Sequence, residues 1–258
     1  MTTTARPVAL KVGVVGKGGV GKTTVAGLLA RAWAGRGRTV VAIDTDSNPN
    51  LGLSLGLSLE ETEAVPVLPR SVVVGGGGGT AAGELVEQYG RPTPAGPTLI
   101  SAIKVAQAGA GCTCGGHATV RSLLADALAD VDLTLVDMEA GLEHLSRSGG
   151  TLAHADLLLV VCEPTRKSVV TAARTAALAA ELGILQVLAV GNKARSADDE
   201  GYLRTALADE GLVVAGVLPY DEDVADADRG AGTTGPGSPA LSAALERVLD
   251  AVDAAGRD

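Results

Sequence analysis

Seven short apolar runs rich in Val, Leu and Ile recur along the chain, at residues 9–15, 39–44, 98–101, 132–137, 156–162, 185–191 and 212–218. Between them lie stretches with helical period, an alternation that marks parallel βαβ units with helices on both faces. Several runs are apolar at nearly every position, as a strand covered on both sides requires. The expectation is an α/β protein with one doubly wound, mainly parallel sheet, formed by all 258 residues as a single domain. Val25, Leu28, Leu29 and Ala32 repeat at the spacing of one helix face, and Gly35 and Gly37 follow where that helix should stop. Further helices are expected over 119–129, 167–182, 200–210 and 239–254. Residues 58–97 are the least predictable, since five glycines (Gly75 to Gly79) and three prolines between Arg91 and Pro97 punctuate them.

Composition removes several classes of function. With 21 Lys+Arg against 30 Asp+Glu the formal charge is −9, the wrong sign for a chain that neutralises phosphates along nucleic acid or lies on an anionic membrane. One Trp, three Tyr and no Phe leave little for stacking bases, so the core must be Val, Leu, Ile and Ala. Three cysteines are too few for a secreted disulfide scaffold. The first residues carry no apolar signal region and no run reaches bilayer length, so a cytoplasmic protein without nucleic-acid or membrane partners is expected.

Between the first run and the first helix stands Gly16-Lys17-Gly18-Gly19-Val20-Gly21-Lys22-Thr23-Thr24, which satisfies G-x-x-x-x-G-K-[ST] in the strand–loop–helix setting that motif needs. The glycines let successive backbone N–H groups converge on phosphates, and the helix N-terminus adds positive potential. Lys22 is placed to reach the β and γ phosphates and Thr23 to ligate Mg²⁺. In a doubly wound sheet ligands bind beyond the carboxyl ends of the strands, and polar residues gather there. Asp44 and Asp46 follow the second run, Asp137 ends the fourth, Asn192 follows the sixth, and Pro219-Tyr220-Asp221 follow the last. Asp44 either hydrogen-bonds the backbone of the glycine loop or meets Mg²⁺ itself.

A second lysine, Lys17, directly after the first glycine resembles the deviant Walker A motif of the MinD, ParA and nitrogenase iron protein superfamily, which are SIMIBI-class P-loop NTPases. The resemblance implies one P-loop ATPase domain over residues 1–258 and a homodimer in which Lys17 crosses to the partner's phosphates. It also implies that Asp46 positions the attacking water, that Asp137 holds Mg²⁺ through water, and that Gly141 lies near the γ phosphate. Asn192, with Pro219 and Asp221, then contacts the nucleoside.

Gly111-Cys112-Thr113-Cys114-Gly115-Gly116-His117 is the second chemical signal. Two thiols one residue apart can chelate a soft metal but supply two of the four ligands that Zn²⁺ or an iron–sulfur cluster takes. A two-fold axis through this loop would make Cys₄, or His117 could add a third ligand. Cys162, inside an apolar run, reads as a small buried hydrophobe. Glu143 and His144 read as a helix face, and His154 as structural.

The stretch AGAGCTCGGHATVRSLL, followed by VDMEAGLEHLSRSG and VLPYDEDVADADRG, resembles the carbon monoxide dehydrogenase maturation ATPases, the CooC group, over residues 10–250. The resemblance implies ATP and Mg²⁺ as ligands, Ni²⁺ or Zn²⁺ on Cys112 and Cys114 at the dimer interface, and a CO-dehydrogenase-like client. Arg147-Ser148-Gly149-Gly150 before Thr151, and Ser47 where a proline is usual, depart from the group's pattern. A nitrogenase-iron-protein-like reductase also needs four thiolates on an axis, but from a widely separated cysteine pair. A MinD- or ParA-like positioning ATPase needs a basic anchor, which the last helix lacks.

Overall fold

The computed structural model describes residues 9–69, 81–103, 114–125, 131–140, 151–184, 186–230, 235 and 237–256. The strands are β1 (Leu10–Gly16), β2 (Val40–Asp44), β3 (Arg91–Pro92), β4 (Thr98–Ser101), β5 (Leu133–Asp137), β6 (Leu157–Cys162), β7 (Gln186–Ala194) and β8 (Val213–Pro219). Helices among the described residues are α1 (Lys22–Gly35), α2 (Leu51–Ser54), α3 (Leu59–Glu63), α4 (Ala82–Tyr89) and α5 (Cys114–Ala125). They continue with α6 (Arg166–Glu181), α7 (Ala197–Asp209), α8 (Glu222–Asp228) and α9 (Pro239–Ala255).

The strands form one sheet in the order β3-β4-β2-β5-β1-β6-β7-β8, parallel at every pairing except β3 with β4. Side chains alternate between two cores. Leu10, Val12, Val14, Leu133, Leu135, Leu157 and Leu159 pack under α1 and α9, while Val41, Ile43, Val136, Leu158 and Val160 pack against α5, α6 and α7. Fully burying one such aliphatic side chain is worth about 1.5–3 kcal/mol, so two continuous apolar layers hold the strands far more firmly than any exposed ion pair. Gly13 is required by close approach: a Cβ there would lie 2.4 Å from Leu152 Cδ1, where the chain returns against β1.

On α1, Val25, Leu28 and Leu29 are buried as the spacing requires, but Ala32 is only partly covered and the seam runs through Trp33. The Trp33 indole N–H donates to Asp253 Oδ1 of α9 at 3.2 Å. Arg36 pairs with Glu246, Asp250 and Asp253. Of these carboxylates Asp253, with 12% of its side chain exposed, is shielded enough from solvent for the contact to matter.

Departures from the expected elements have local causes. Among the described residues of 58–97 there are two short helices, α3 and α4, and the strand β3. Ser58 caps α3 by accepting from Glu61 N, while the Glu61 carboxylate accepts from Ser58 N, a reciprocal capping box. Strand β3 is two residues long and contains Pro92, which is tolerated because β3 lies at the sheet edge. Helix α5, Cys114–Ala125 among the described residues, reaches further back than the expected 119, and residues 126–129 of that expectation lie outside the described residues. Helix α7 begins at Ala197, earlier than expected, because the Ser196 hydroxyl accepts from Asp199 N. Strand β7 runs on to Ala194 through an irregular pairing with β8. The glycine run Gly75 to Gly79 lies outside the described residues, as do Cys112, Gly141, Glu143 and His144. Cys162 is a buried free thiol, and burial is the main cause that raises its pKa. Among the described residues no helix is long and apolar enough to cross a membrane.

Candidate active site

Strands β4, β2, β5 and β1 are neighbours in the sheet, so the segments leaving their carboxyl ends stand side by side. The glycine loop leaves β1 and enters α1 at Lys22, with Gly19 at φ 84° and Gly21 at φ 89°, left-handed conformations that glycine takes without strain. Gly18 and Gly19 are exposed, whereas Val20 is buried and anchors the loop. Lys22 is buried. Burial lowers its pKa, against the opposing pull of the Asp137, Asp46 and Glu139 carboxylates. Lys17 sits half-buried on the loop's shoulder; its carbonyl accepts from Val20 N at 3.5 Å, and no described residue hydrogen-bonds or ion-pairs with its ammonium.

Register places Ser101, Asp44 and Asp137 in one row across β4, β2 and β5, on the face that α1 covers. Asp137 is 1% exposed, the Thr23 hydroxyl hydrogen-bonds its side chain, and its Oδ1 has no partner. Burial, reinforced by the Asp44 charge, raises its pKa to about 8. Asp44 is raised as well, chiefly by burial. Its carboxylate accepts from Asp46 N at 3.0 Å and from Leu51 N at 2.9 Å. Asp44 thus hydrogen-bonds the backbone of the loop that follows β2 and of the start of α2, where the glycine-loop backbone was the expected backbone partner.

Asp46 is partly exposed on that loop, and its Oδ1 accepts from Asn48 N at 2.8 Å. Ser47 Oγ donates to Glu139 Oε1 at 3.1 Å, so the loops after β2 and β5 are joined. On the other flank a cavity of about 260 Å³ opens beside Gly21 and Thr24, with Asn192, Lys193, Pro219 and Asp221 in its walls. The three nucleoside-contact candidates, Asn192, Pro219 and Asp221, therefore meet at one place beside the loop. The Asp221 carboxylate is committed to the backbone, accepting from Val224 N at 3.2 Å and Ser238 N at 2.8 Å. Burial works against its ionisation, yet these hydrogen bonds prevail and lower its pKa. It shapes the wall by capping α8.

Asn192 Nδ2 donates to Val20 O at 2.8 Å, and Lys193 Nζ to Gly19 O at 2.6 Å. Lys193 escaped the sequence reading, and its adjacency to Asn192 was the one signal available. Cys114 lies in α5, 13 residues after β4 ends at Ser101, and Cys112 lies outside the described residues. Among the described residues no group of three or more His, Cys, Asp or Glu could hold a metal.

Comparison with known proteins bears on this geometry. The CobQ/CobB/MinD/ParA nucleotide binding domain matches residues 12–231. The chain is 36% identical to the carbon monoxide dehydrogenase accessory protein CooC of Rhodospirillum rubrum, over 93% of this chain and 97% of that protein. It is 35% identical to an uncharacterised ATP-binding protein of Methanocaldococcus jannaschii, over 83% of this chain and 87% of the other. Among solved structures the cell division ATPase MinD of Pyrococcus furiosus superposes with TM-score 0.73 at 20% identity, covering 96% of this chain and 99% of that one. The sheet order, the glycine loop and these similarities agree that the chain belongs to the CobQ/CobB/MinD/ParA nucleotide-binding family, in its CooC group.

Proposed function

We propose that this chain is a cytoplasmic ATPase that loads nickel or zinc into a client enzyme of the carbon monoxide dehydrogenase type, acting as a homodimer. The observation that carries the catalytic half is the buried Asp137 carboxylate, with one oxygen unpartnered, beside the Thr23 hydroxyl and the Lys22 ammonium. A hard divalent cation fits such oxygen donors: Thr23 would hold Mg²⁺ directly and Asp137 through water. When bound, the ion neutralises charge on the β and γ phosphates.

The chain's own groups do the rest. Backbone N–H groups from Gly16 through Thr24 and the Lys22 ammonium cradle the phosphates, with Gly141 close to the γ phosphate. Asp46 accepts a hydrogen bond from the attacking water and holds it in line. The water oxygen bonds to the γ phosphorus as the bond to the β–γ bridging oxygen breaks, and ADP and phosphate leave with the water's proton passing to phosphate or solvent. Lys17 serves the partner's phosphates, while Asn192, Pro219 and Asp221 border the nucleoside.

The accessory half is supported by similarity to the CooC protein and by the Cys112/Cys114 pair in the sequence. Nickel or zinc is cargo, held by four thiolates when two copies meet. Its test is the double variant Cys112→Ser/Cys114→Ser with metal content and sedimentation measured together, without nucleotide, with ADP and with a non-hydrolysable ATP analogue. The parent is expected to take up about one Ni²⁺ or Zn²⁺ per dimer, and the variant to lose that uptake while still binding ATP. Equal uptake by both proteins overturns the metal site.

A second expectation follows from the raised pKa of Asp137. A carboxylate kept protonated by burial must ionise before it can serve a metal, so binding releases a proton. Affinity for Mg²⁺·ADP is expected to climb with pH between 6 and 8, by up to about tenfold per unit, and to level off above. Titration calorimetry in buffers of different ionisation heat measures the released proton. Asp137→Asn, or Mg²⁺ removal, should flatten the profile. In the nucleotide-free chain the sign reverses: Asp137's stabilising contribution is complete below the ordinary carboxylate range and is lost as pH rises through about 8.

A further inference from the structure

The pairing of β7 with β8 shifts register between Gly191 and Ala194. Within that irregularity Lys193 takes φ 61°, the one left-handed residue other than glycine among those described. A side chain in this region is strained unless its surroundings hold it there. What holds it is the glycine loop: Lys193 Nζ donates to Gly19 O at 2.6 Å while its neighbour Asn192 donates to Val20 O at 2.8 Å. Two successive carbonyls are thus gripped by two successive residues from 174 and 172 positions away. The fit is tight, since a Cβ on Gly21 would lie 2.6 Å from Asn192 Nδ2.

A loop that turns its N–H groups toward an anion turns its carbonyls away, and those carbonyls need donors of their own. With glycine at positions 16, 18, 19 and 21, this loop also has much conformational freedom to lose on binding. We infer that Lys193 is a positioning residue that acts through Gly19 to preorganise the loop for polyphosphate, whatever base the polyphosphate carries. This rests on the glycine loop being the nucleotide site. It assigns Lys193 a role separate from reading the base, even though its stem borders the base cavity.

The test compares Mg²⁺·ADP with Mg²⁺·pyrophosphate, which has no base, on the full chain and on Lys193→Met, Lys193→Arg and Lys193→Gly. Lys193→Met is expected to weaken both ligands about equally, by about tenfold, with KM for ATP raised and kcat within about twofold. Lys193→Arg should recover most of the affinity. Lys193→Gly, which relieves the left-handed strain, should lose as much as Lys193→Met and guards against a variant that fails merely because it misfolds. A loss for ADP with pyrophosphate unchanged assigns Lys193 to the base and overturns the inference. So does a lowered melting temperature with both affinities intact, the mark of a merely structural contact. A parent chain that binds neither ligand overturns the nucleotide reading, and this inference with it.

Discussion

Lys17→Ala is expected to lower ATP turnover by about a thousandfold or more, and to remove ATP-induced dimerisation, while ADP affinity stays within about twofold. The reasoning starts from the loop's shoulder, where Lys17 is half-buried and no described residue takes up its charge, in contrast to Lys22, which is buried among carboxylates. A cation held ready on a loop and engaged by no described residue of its own chain suits an anion brought by another. Supplied across an interface, such a charge contributes only once the triphosphate and the partner are both in place. Its loss therefore falls on kcat and on assembly, leaving binding by the isolated chain nearly untouched.

The second large effect is expected at Asp46. Asp46→Asn should cut turnover by about a hundredfold to ten-thousandfold, the range for removing a group that manages the nucleophile's proton, while ATP binding and dimerisation persist. Asparagine keeps an oxygen to accept from Asn48 N, and the backbone bond from Asp46 N to Asp44 is untouched, so the loop should hold its shape. The two variants also test each other. In a mixed dimer, the site with an intact Asp46 on the Lys17→Ala chain receives Lys17 from the Asp46→Asn chain. Equal mixing of two inactive proteins should restore turnover, to at most about half of the parental value, because each mixed dimer has one working site of two. No recovery on mixing would show that Lys17 acts within its own chain.

The features legible in the sequence share a property: their meaning is complete within a short window. The glycine loop, the strand before it and the helix after it fit within residues 10–35, and Asp137 needs only the apolar run it closes. Ser58 and Glu61 are equally legible, since a capping box at this spacing marks the start of α3. Asp44 was harder. Its backbone partner lies seven residues on, at Leu51, and only the folded turn brings the two within 2.9 Å. Beyond its place next to Asn192 nothing in the sequence marks Lys193, because its role depends on a slip in strand register and on a carbonyl at the far end of the chain. Glycines 115 and 116 lie inside α5, where local propensity alone disfavours a helix.

Trp33 is the one tryptophan in the chain, fully enclosed on the helix that begins at the phosphate-facing loop and tied by its indole N–H to Asp253. Native emission excited at the red edge of protein absorbance must therefore come from a single, dry location at the seam between α1 and α9. Any rearrangement that travels down α1 from the loop changes the surroundings of that ring, so the protein brings its own fluorophore and no label need be attached near the glycines or the thiols.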